Sequence, residues 1–206
     1  IIKINMGNNL LITALIIYFI GSIPFAYIIT KLSGHGDIRN IGSGNIGTTN
    51  VLRTGNKFLA MIVLIFDILK GYLPTFYILN YLFYSNNSNE LVTYMLGSIA
   101  ILGHLFPFWL KFKGGKGVAS YIGFIFAINY FIGLIFVFLW LFLAFLTKYS
   151  SFASICSLLL IPFVMLFLSY QSSIFIYFLM ISIILILKHY SNIKRLLNNN
   201  ESKIKL

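Results

Sequence analysis

The sequence predicts an all-α integral membrane protein, a bundle of seven transmembrane helices. Hydrophobic residues make up 59% of the chain and charged residues only 9%, whereas charged residues form about a quarter of a soluble domain. Only helices and closed barrels satisfy their backbone hydrogen bonds in lipid. The apolar runs are continuous rather than alternating, which is the helical pattern and not the barrel pattern.

Seven apolar windows follow one another along the chain, and each is a candidate span. They cover residues 10–30, 58–83, 91–110, 117–129, 131–147, 151–169 and 173–188. The fourth and fifth windows are shorter than the roughly 20 residues of a full crossing, so thin or partly re-entrant helices are expected there. Because no intervening polar stretch is long enough for a soluble domain, we expect one membrane-embedded domain over residues 1–206.

The start of the chain favours a retained first span. The chain begins with isoleucine, and Met6 is a candidate start residue. Residues 10–30 lack a small-residue cleavage site and lead directly into a polar loop, so a cleaved signal peptide is the weaker interpretation.

The basic residues predict the orientation in the membrane. If successive loops alternate sides, one side holds only Lys3 and the other holds nearly all remaining lysines and arginines. The basic side carries Lys31, Arg39, Arg53, Lys57, Lys111, Lys113, Lys116, Lys148, Lys188, Lys194, Arg195, Lys203 and Lys205. Because basic loops face the cytoplasm, we expect the N-terminus outside and the C-terminus inside. The net charge of +11 also favours contact with anionic lipid, but the basic residues form no motif that reads nucleic acid, which is not an expected partner.

The first polar segment on the basic side is glycine-rich. Residues 42–50 read GSGNIGTTN and match G-x-G-x-x-G, but no strand pattern flanks them, which excludes a dinucleotide-binding unit. A glycine turn still exposes backbone N–H groups to an anion. Ser43, Asn45 and Asn50 add hydroxyl and amide donors, and Arg53 adds a guanidinium suited to phosphate. The alternative is an ordinary tight turn between helices.

The second polar segment surrounds a lysine with glycines. Residues 103–120 read GHLFPFWLKFKGGKGVAS, and the spacing around Lys116 excludes a nucleotide P-loop. Lys116 is a candidate phosphate ligand. Lys111 and Lys113 are expected to extend from a helix end toward the headgroups.

Two further polar segments lie at the same face. Ser150 and Ser151 open the sixth window, where capping of the helix N-terminus is the favoured interpretation and substrate contact the alternative. In the tail, His189 and Asn192 share a helix face at a spacing of three. The alternative for the tail is an interfacial basic helix end.

Charged residues inside the second window require partners. Asp67 and Lys70 lie on one helical face, and we expect them to pair with each other or with a polar segment, supporting the site from below. His104 near Pro107 is expected to have a structural role. The histidines, Cys156 and the carboxylates form no metal-ligand spacing, so no metal is expected.

Four ordered segments resemble one family. They are GSIPFAYIITKLSGHGDIRNIGSGNIGTTNVLRTGNK, GHLFPFWLKFKGGKGVAS, KYSSFAS and HYSNIKRLLNNNES, and together they closely resemble the bacterial acyl-phosphate:glycerol-3-phosphate acyltransferases over essentially the whole chain. The resemblance implies a seven-span inner-membrane enzyme with a cytoplasmic active site. Such an enzyme moves a fatty acyl group from acyl phosphate to the 1-hydroxyl of glycerol 3-phosphate, giving lysophosphatidic acid and phosphate. It implies no cofactor, and it implies functional coupling to the soluble enzyme that makes acyl phosphate.

The resemblance also implies site residues. Those implied to be catalytic are Ser43, Arg53, Lys116 and His189, and those implied to bind substrate are Asn45, Ser150, Ser151, Asn192 and Glu201. The chain departs from the family pattern at Asn199, usually near a glycine, and at Ser202, usually proline; asparagine tolerates the left-handed backbone that a glycine would adopt.

The expected mechanism uses no histidine–aspartate dyad. The residues five positions after the three histidines are Asn40, Trp109 and Lys194, so the H-x-x-x-x-D motif of other glycerol phosphate acyltransferases is absent. We therefore expect the acyl phosphate itself to help accept the proton, in a single pocket where all four segments converge. Two alternative functions remain open for the whole protein. One is a transporter of a phosphorylated metabolite, for which the sequence shows no repeat or midplane polar path, and the other is a structural scaffold.

Overall fold

The computed structural model describes residues 6–83 and 89–204, and every regular element within these ranges is helical. Lys3 and Lys205, which entered the charge count, lie outside the described residues. The α-helices are α1 (Met6–Ser22), α2 (Phe25–Leu32), α3 (Thr48–Leu52), α4 (Lys57–Ile78), α5 (Glu90–Leu105), α6 (Val118–Ile128), α7 (Tyr130–Thr147), α8 (Ser150–Phe167), α9 (Ser172–Leu187) and α10 (Tyr190–Leu197). Short 3-10 helices cover Ile38–Asn40 and Phe108–Leu110, and a π-helical turn, Leu79–Phe83, extends α4.

The first predicted span is broken. Helix α1 ends at Ser22 and α2 begins at Phe25, because Pro24 lacks the N–H that would continue the helix. The Lys70 ammonium donates a 2.9 Å hydrogen bond to the Ile23 carbonyl at this break. A carbonyl exposed by the break is thus satisfied by a side chain from α4, as backbone groups in lipid require.

The described residues up to Ile128 form one compact unit. Within it α4 packs against α5 and α6, and α1 packs against α5. Glycines permit the closest approach: a Cβ on Gly71 would collide with the Ser120 backbone, and one on Gly123 would collide with the Ile68 carbonyl. Small residues at such crossings are how helices associate in lipid, where apolar side chains gain little by leaving the solvent.

The described residues from Asn129 onward form the second compact unit. Helix α8 packs against α7, α9 and α10. The Trp140 indole N–H donates to the Ser154 hydroxyl at 2.9 Å, which links α7 to α8. Phe136 and Phe178 are fully buried in this unit.

Five segments in the described part of the chain are long and apolar enough to cross a membrane. They are Leu10–Leu32, Lys57–Tyr81, Glu90–Leu110, Tyr130–Thr147 and Ser150–Phe167. A sixth arises if α9 and α10, bent by 64° at their junction, are counted together. The fourth predicted window contains only the 11 residues of α6, about 16 Å of helix against a hydrocarbon core of about 30 Å. The protein is therefore a multi-pass helical membrane protein, and the count of seven spans stays a prediction.

Candidate active site

The glycine-rich loop leads directly into a helix. Gly42 and Gly44 adopt φ values of +55° and +69°, a left-handed backbone that glycine adopts without strain. Gly47 then forms the N-cap of α3. The loop thus places its central residue, Ser43, at an exposed turn just ahead of a helix N-terminus.

Asn50 holds this loop in shape. Its buried side chain accepts hydrogen bonds from the Ser43 backbone N–H at 3.0 Å and from the Ser43 hydroxyl at 3.3 Å. Its amide group donates to the carbonyls of Ile38 at 3.0 Å and Ile41 at 2.8 Å. Both amide hydrogens are used inside the protein, so Asn50 organises the loop rather than offering donors to an anion.

Arg53 lies beside the same turn. It follows α3 as the C-cap, and a Cβ added to Gly42 would lie 2.9 Å from Arg53 Cδ. The side chain of Arg53 therefore packs across Gly42, next to Ser43. Asn45 is half-buried, and its amide nitrogen lies 3.1 Å from where a Cβ on Gly47 would sit.

The turn that carries Lys116 is hydrogen-bonded to the end of α5. The N–H groups of Gly114 and Gly115 donate to the carbonyls of Leu105 and His104, both at 3.2 Å. Gly117 has φ +79°, and α6 begins at the next residue. Lys116 is thus presented, half-buried, between two glycines ahead of a helix.

The Lys116 turn contacts the glycine-rich loop. A Cβ on Gly115 would lie 2.6 Å from the Ile46 carbonyl and would also collide with the His104 imidazole. This contact exists because Gly115 has no side chain. Within residues 1–128, the fold therefore brings together the two glycine segments that carry Ser43, Asn45, Arg53 and Lys116.

A buried polar network lies beneath these loops. Asp67 and Lys70 form a 2.8 Å ion pair, and both side chains are 3% exposed, which confirms that they pair. The imidazole Nδ1 of His104 lies 3.2 Å from the Ser120 hydroxyl and 3.8 Å from the Asp67 carboxylate. Lys70 and His104 thus link the ion pair to the break at Ile23 and to the end of α5.

In the second unit, the Glu201 carboxylate accepts hydrogen bonds from three side chains. Its Oε1 accepts from the Ser151 hydroxyl at 3.0 Å and from the Asn192 amide at 2.7 Å, and its Oε2 accepts from Arg195 Nε at 2.7 Å. Burial by itself would raise the pKa of the Glu201 carboxyl, but the hydrogen bonds from Asn192, Arg195 and Ser151 outweigh it and hold the pKa below its usual value. Glu201 is therefore an anion that orients its neighbours.

Ser150 and Ser151 do not cap α8 as predicted. Tyr149 is the N-cap residue, and no side chain caps the helix. Ser151 instead donates to Glu201, and the carbonyl of Ser150 accepts from the Ser154 hydroxyl at 2.8 Å. The returning tail explains the difference, because it supplies Ser151 with a carboxylate acceptor.

His189 lies at the bend between α9 and α10. It is 2% exposed, and its Nδ1 lies 2.8 Å from the Leu185 carbonyl. Because a carbonyl only accepts, Nδ1 carries the proton, and a neutral ring then has its lone pair on Nε2. The predicted neighbour Asn192 follows one turn later, and its N–H donates to the His189 carbonyl at 2.8 Å.

The tail turns back through Asn199. This residue has φ +56°, so the asparagine does adopt the left-handed backbone expected in place of the family glycine. The Ile204 N–H then donates to the Lys148 carbonyl at 2.8 Å, just before α8. This return of the chain is what brings Glu201 to Ser151.

Comparison with known proteins identifies the family. The sequence profile of the glycerol-3-phosphate acyltransferase family matches residues 11–199. Glycerol-3-phosphate acyltransferases of Pelagibacter ubique and Mesorhizobium japonicum are 46% and 47% identical to this chain over 95% and 97% of its length, and over 98% of each relative. The chain belongs to the glycerol-3-phosphate acyltransferase family.

Solved structures agree with this acyltransferase in fold. A crystal structure of PlsY (YgiH), an integral membrane glycerol 3-phosphate acyltransferase, in its glycerol 3-phosphate form matches with a TM-score of 0.88 at 33% identity, over 96% of both chains. The lysophosphatidic acid form matches with a TM-score of 0.86 at 31% identity, again over 96% of both chains. The acyltransferase is thus a multi-pass membrane enzyme from bacteria.

The predicted site residues of the acyltransferase fall into two clusters, one in each unit. Ser43, Asn45, Arg53 and Lys116 lie on the two glycine segments of residues 1–128, and Ser150, Ser151, His189, Asn192 and Glu201 lie in residues 129–206. That all nine residues form a single pocket stays a prediction.

Sequence reasoning missed two residues that the structure makes central. Asn50 was assigned as a donor to the anion, and its internal role had no signal beyond its position eight residues after Gly42. Arg195 was counted only as a basic residue of the tail. Its spacing of three from Asn192, on the same face of a helix, was the signal available for it.

Proposed function

We propose that this acyltransferase transfers a fatty acyl group from acyl phosphate to the 1-hydroxyl of glycerol 3-phosphate. The observation that carries the proposal is the packing of Gly115 against Ile46. This contact joins the loop of Ser43 and Arg53 to the turn of Lys116, which supports a common role for the two cations and the two glycine turns. Both proposed substrates carry phosphates, which such turns and cations bind.

The roles follow from the chemistry of each group. Arg53 offers a fixed fork of donors, and Lys116 offers a compact charge, so together they neutralise two phosphates that would repel one another. Ser43 orients the acyl phosphate from the loop that Asn50 fixes. Ser150, Ser151 and Asn192 bind the second substrate, and Glu201 contributes by orienting Ser151 and Asn192.

The proposed reaction needs no acyl-enzyme intermediate, because acyl phosphate is already activated. The hydroxyl oxygen of glycerol 3-phosphate attacks the acyl carbonyl carbon, and the bond from that carbon to the phosphate oxygen breaks. The departing phosphate takes up the hydroxyl proton. Lysophosphatidic acid and inorganic phosphate result, and the enzyme supplies position and charge stabilisation.

We also propose the membrane setting of this reaction. The chain acts as a single domain with seven spans in the bacterial inner membrane, with its N-terminus outside and its active site on the cytoplasmic side. The excess of basic residues in alternate loops supports this orientation. The acyl chain then stays in lipid, and a soluble cytoplasmic enzyme supplies the acyl phosphate.

Purified protein in lipid vesicles tests the reaction. With synthetic acyl phosphate and labelled glycerol 3-phosphate, we expect lysophosphatidic acid and phosphate in equal amounts, and no product when an acyl thioester replaces acyl phosphate. Ser43→Ala and Lys116→Gln should each lower kcat/KM by about a hundredfold or more, whereas Lys57→Gln should not. Entry of the label into vesicles without product would instead indicate a transporter.

Substitution of His189 distinguishes the two candidate general bases, the substrate phosphate and the His189 imidazole. If the substrate phosphate accepts the proton, His189→Gln lowers kcat/KM but leaves the acid limb of the pH profile of kcat in place. Loss of the acid limb, with both substrates still bound and the fold intact, would assign the base to His189 instead.

A further inference from the structure

A second basic feature of this unit is a groove of about 700 Å³. Its lining consists of Ile23, Pro24, Tyr27, Ile28, Arg39, Trp109, Leu110, Lys111 and Lys113. The proposed substrate residues Ser43, Asn45, Arg53 and Lys116 are not among them. The groove lies where α2 leaves the break after α1 and where the chain leaves α5, at the ends of two candidate spans.

Arg39 is held in a fixed orientation at the groove. Its Nε lies 2.9 Å and 3.0 Å from the two oxygens of Asp37, and its Nη2 is also bonded to that carboxylate. The guanidinium lies 5.1 Å from the centre of the Tyr27 ring. The carboxylate engages one edge of the guanidinium, and Nη1 lies outside this bidentate pair. A guanidinium fixed in this way is suited to phosphate.

Two lysines complete the charge of the groove. Lys111 and Lys113 are exposed, and no acidic side chain in the described residues pairs with either of them. Lys111 and Phe112 have φ values of +52° and +61°, and the Lys113 N–H donates to the Leu110 carbonyl at 3.0 Å. The turn holds two unpaired ammonium groups at the edge of an otherwise apolar groove.

The remaining wall of the groove is apolar and accessible. Ile28 is 37% exposed and Trp109 is 56% exposed. The Trp109 indole is fixed by a 2.9 Å hydrogen bond to the Ser22 hydroxyl. An amphipathic ring in this orientation at the end of a span is typical of the boundary between headgroups and acyl chains.

We propose that this groove binds an anionic phospholipid of the surrounding bilayer. The phosphate lies among Arg39, Lys111 and Lys113, and an acyl chain lies against Ile28 and Trp109. Its lining residues differ from the proposed substrate residues, and the inference goes beyond the acyl transfer proposed above. Lys111 and Lys113, with the free edge of the Arg39 guanidinium, match an anionic headgroup, whereas a soluble phosphate would leave the apolar wall uncovered.

Trp109 provides a direct probe. The chain has two tryptophans, so Trp140→Phe leaves Trp109 as the only one, and lipids with brominated chains quench a tryptophan that they contact. The full-length protein is titrated in vesicles with brominated phosphatidylglycerol or with brominated phosphatidylcholine of the same chains. We expect phosphatidylglycerol to quench Trp109 at a lower mole fraction than phosphatidylcholine does.

Substitutions test the site itself. Lys111→Gln and Lys113→Gln should each weaken the preference for phosphatidylglycerol about fivefold, and the double variant should weaken it about 25-fold. Lys57→Gln, which removes an exposed lysine at the start of α4, should leave it unchanged. If Lys57→Gln weakens the preference for phosphatidylglycerol as much as the groove variants do, or if both lipids quench Trp109 equally, the effect is only a general attraction of basic residues to anionic lipid. Either result would overturn the proposal.

A soluble competitor separates the two sources of phosphate. Glycerol 3-phosphate or inorganic phosphate should not relieve quenching by brominated phosphatidylglycerol. If either does, the groove is a site for a soluble anion and the lipid assignment is wrong. Because quenching requires no turnover, this outcome is independent of whether the acyl transfer itself is observed.

Discussion

Two side chains each fix several others in this acyltransferase. Asn50 connects Ser43 to the carbonyls of Ile38 and Ile41, and Glu201 connects Ser151, Asn192 and Arg195. Neither residue has to touch a substrate to affect catalysis. Their loss displaces the groups that are proposed to do so, since a misplaced group contributes little to a transition state.

Asn50→Ala tests the first of these. It removes the buried amide that bonds Ser43, Ile38 and Ile41, although the Ile38 and Ile41 carbonyls each keep one backbone N–H donor, so we expect a loss of about 1–3 kcal/mol in the free energy of unfolding. The kcat/KM for acyl phosphate should fall with it. Asn40→Ala, at an exposed asparagine in the 3-10 helix just before this loop, is the matched control and should change neither quantity. Thermal unfolding in detergent and steady-state kinetics measure both.

Glu201→Gln tests the second through its pH dependence. The folded state holds the Glu201 pKa below its usual value, so the ionised carboxylate stabilises the fold above the ordinary glutamate pKa of about 4.3, and this contribution disappears as the pH falls through the lowered value. The variant should be less stable than the wild type at neutral pH. The difference should shrink on acidification below about pH 4, and a constant difference would contradict this account.

At the scale of elements, the described helices and loops meet at glycines and at the buried Asp67–Lys70 pair. Gly115 lets the Lys116 turn contact the glycine-rich loop. The Asp67–Lys70 pair joins α4 to the break after α1. Both contacts involve backbone carbonyls, those of Ile46 and Ile23. A backbone atom cannot move aside as a flexible side chain can, so these contacts fix the position of the loops.

Gly115→Ala should separate the two glycine segments. The added methyl group would collide with the Ile46 carbonyl and the His104 ring. Because the collision displaces the Lys116 turn, we expect transition-state stabilisation to fall by about 1.4 kcal/mol or more, which is at least tenfold in kcat/KM. Gly34→Ala is the control. It meets no atom within 4 Å but has φ +79°, so it adds only backbone strain of about 1–2 kcal/mol and should spare activity.

Asp67→Asn should destabilise the protein by about 3–5 kcal/mol, because it leaves the Lys70 ammonium buried and without its carboxylate. Exchanging the two residues, Asp67→Lys with Lys70→Asp, should recover part of this loss. Asp37→Asn, which breaks an ion pair that is partly exposed, should cost about 1 kcal/mol or less. Thermal unfolding in one detergent compares all three, and equal losses for Asp67→Asn and Asp37→Asn would contradict the argument.

At the scale of the whole molecule, the described segments supply five spans, or six with the bent pair of α9 and α10. The proposed orientation has the site-bearing loops inside. Because Cys156 is the only cysteine, a Cys156→Ser background makes this orientation measurable by single-cysteine labelling.

Cysteines placed at Lys57 and Ser202 should both be labelled by a membrane-impermeant maleimide only after cells are permeabilised. A cysteine at Lys3 should be labelled in intact cells. Labelling of Lys57 and Ser202 from opposite sides would contradict seven spans with an internal C-terminus, since both positions are assigned to the cytoplasmic face.

The sequence by itself determined the class, the order of helices and the polar segments. Composition requires a helical membrane protein because lipid cannot satisfy an open backbone, and motif spacing indicated both glycine segments. Local pattern also predicted the Asp67–Lys70 pair, since residues three apart share a helix face. The short fourth window was likewise expected and contains the 11 residues of α6. The periodicity did not predict the helix break at Pro24, which lies inside the first apolar run.

Only the tertiary structure decided what the polar side chains do. Asn50 turns inward because Ile38 and Ile41 present carbonyls to it, and Ser151 bonds Glu201 because the tail returns past Lys148. The groove at Arg39 likewise joins residues more than 70 positions apart. Composition and periodicity describe how each segment meets lipid or water, whereas hydrogen-bond partners distant in sequence depend on how the chain folds back on itself.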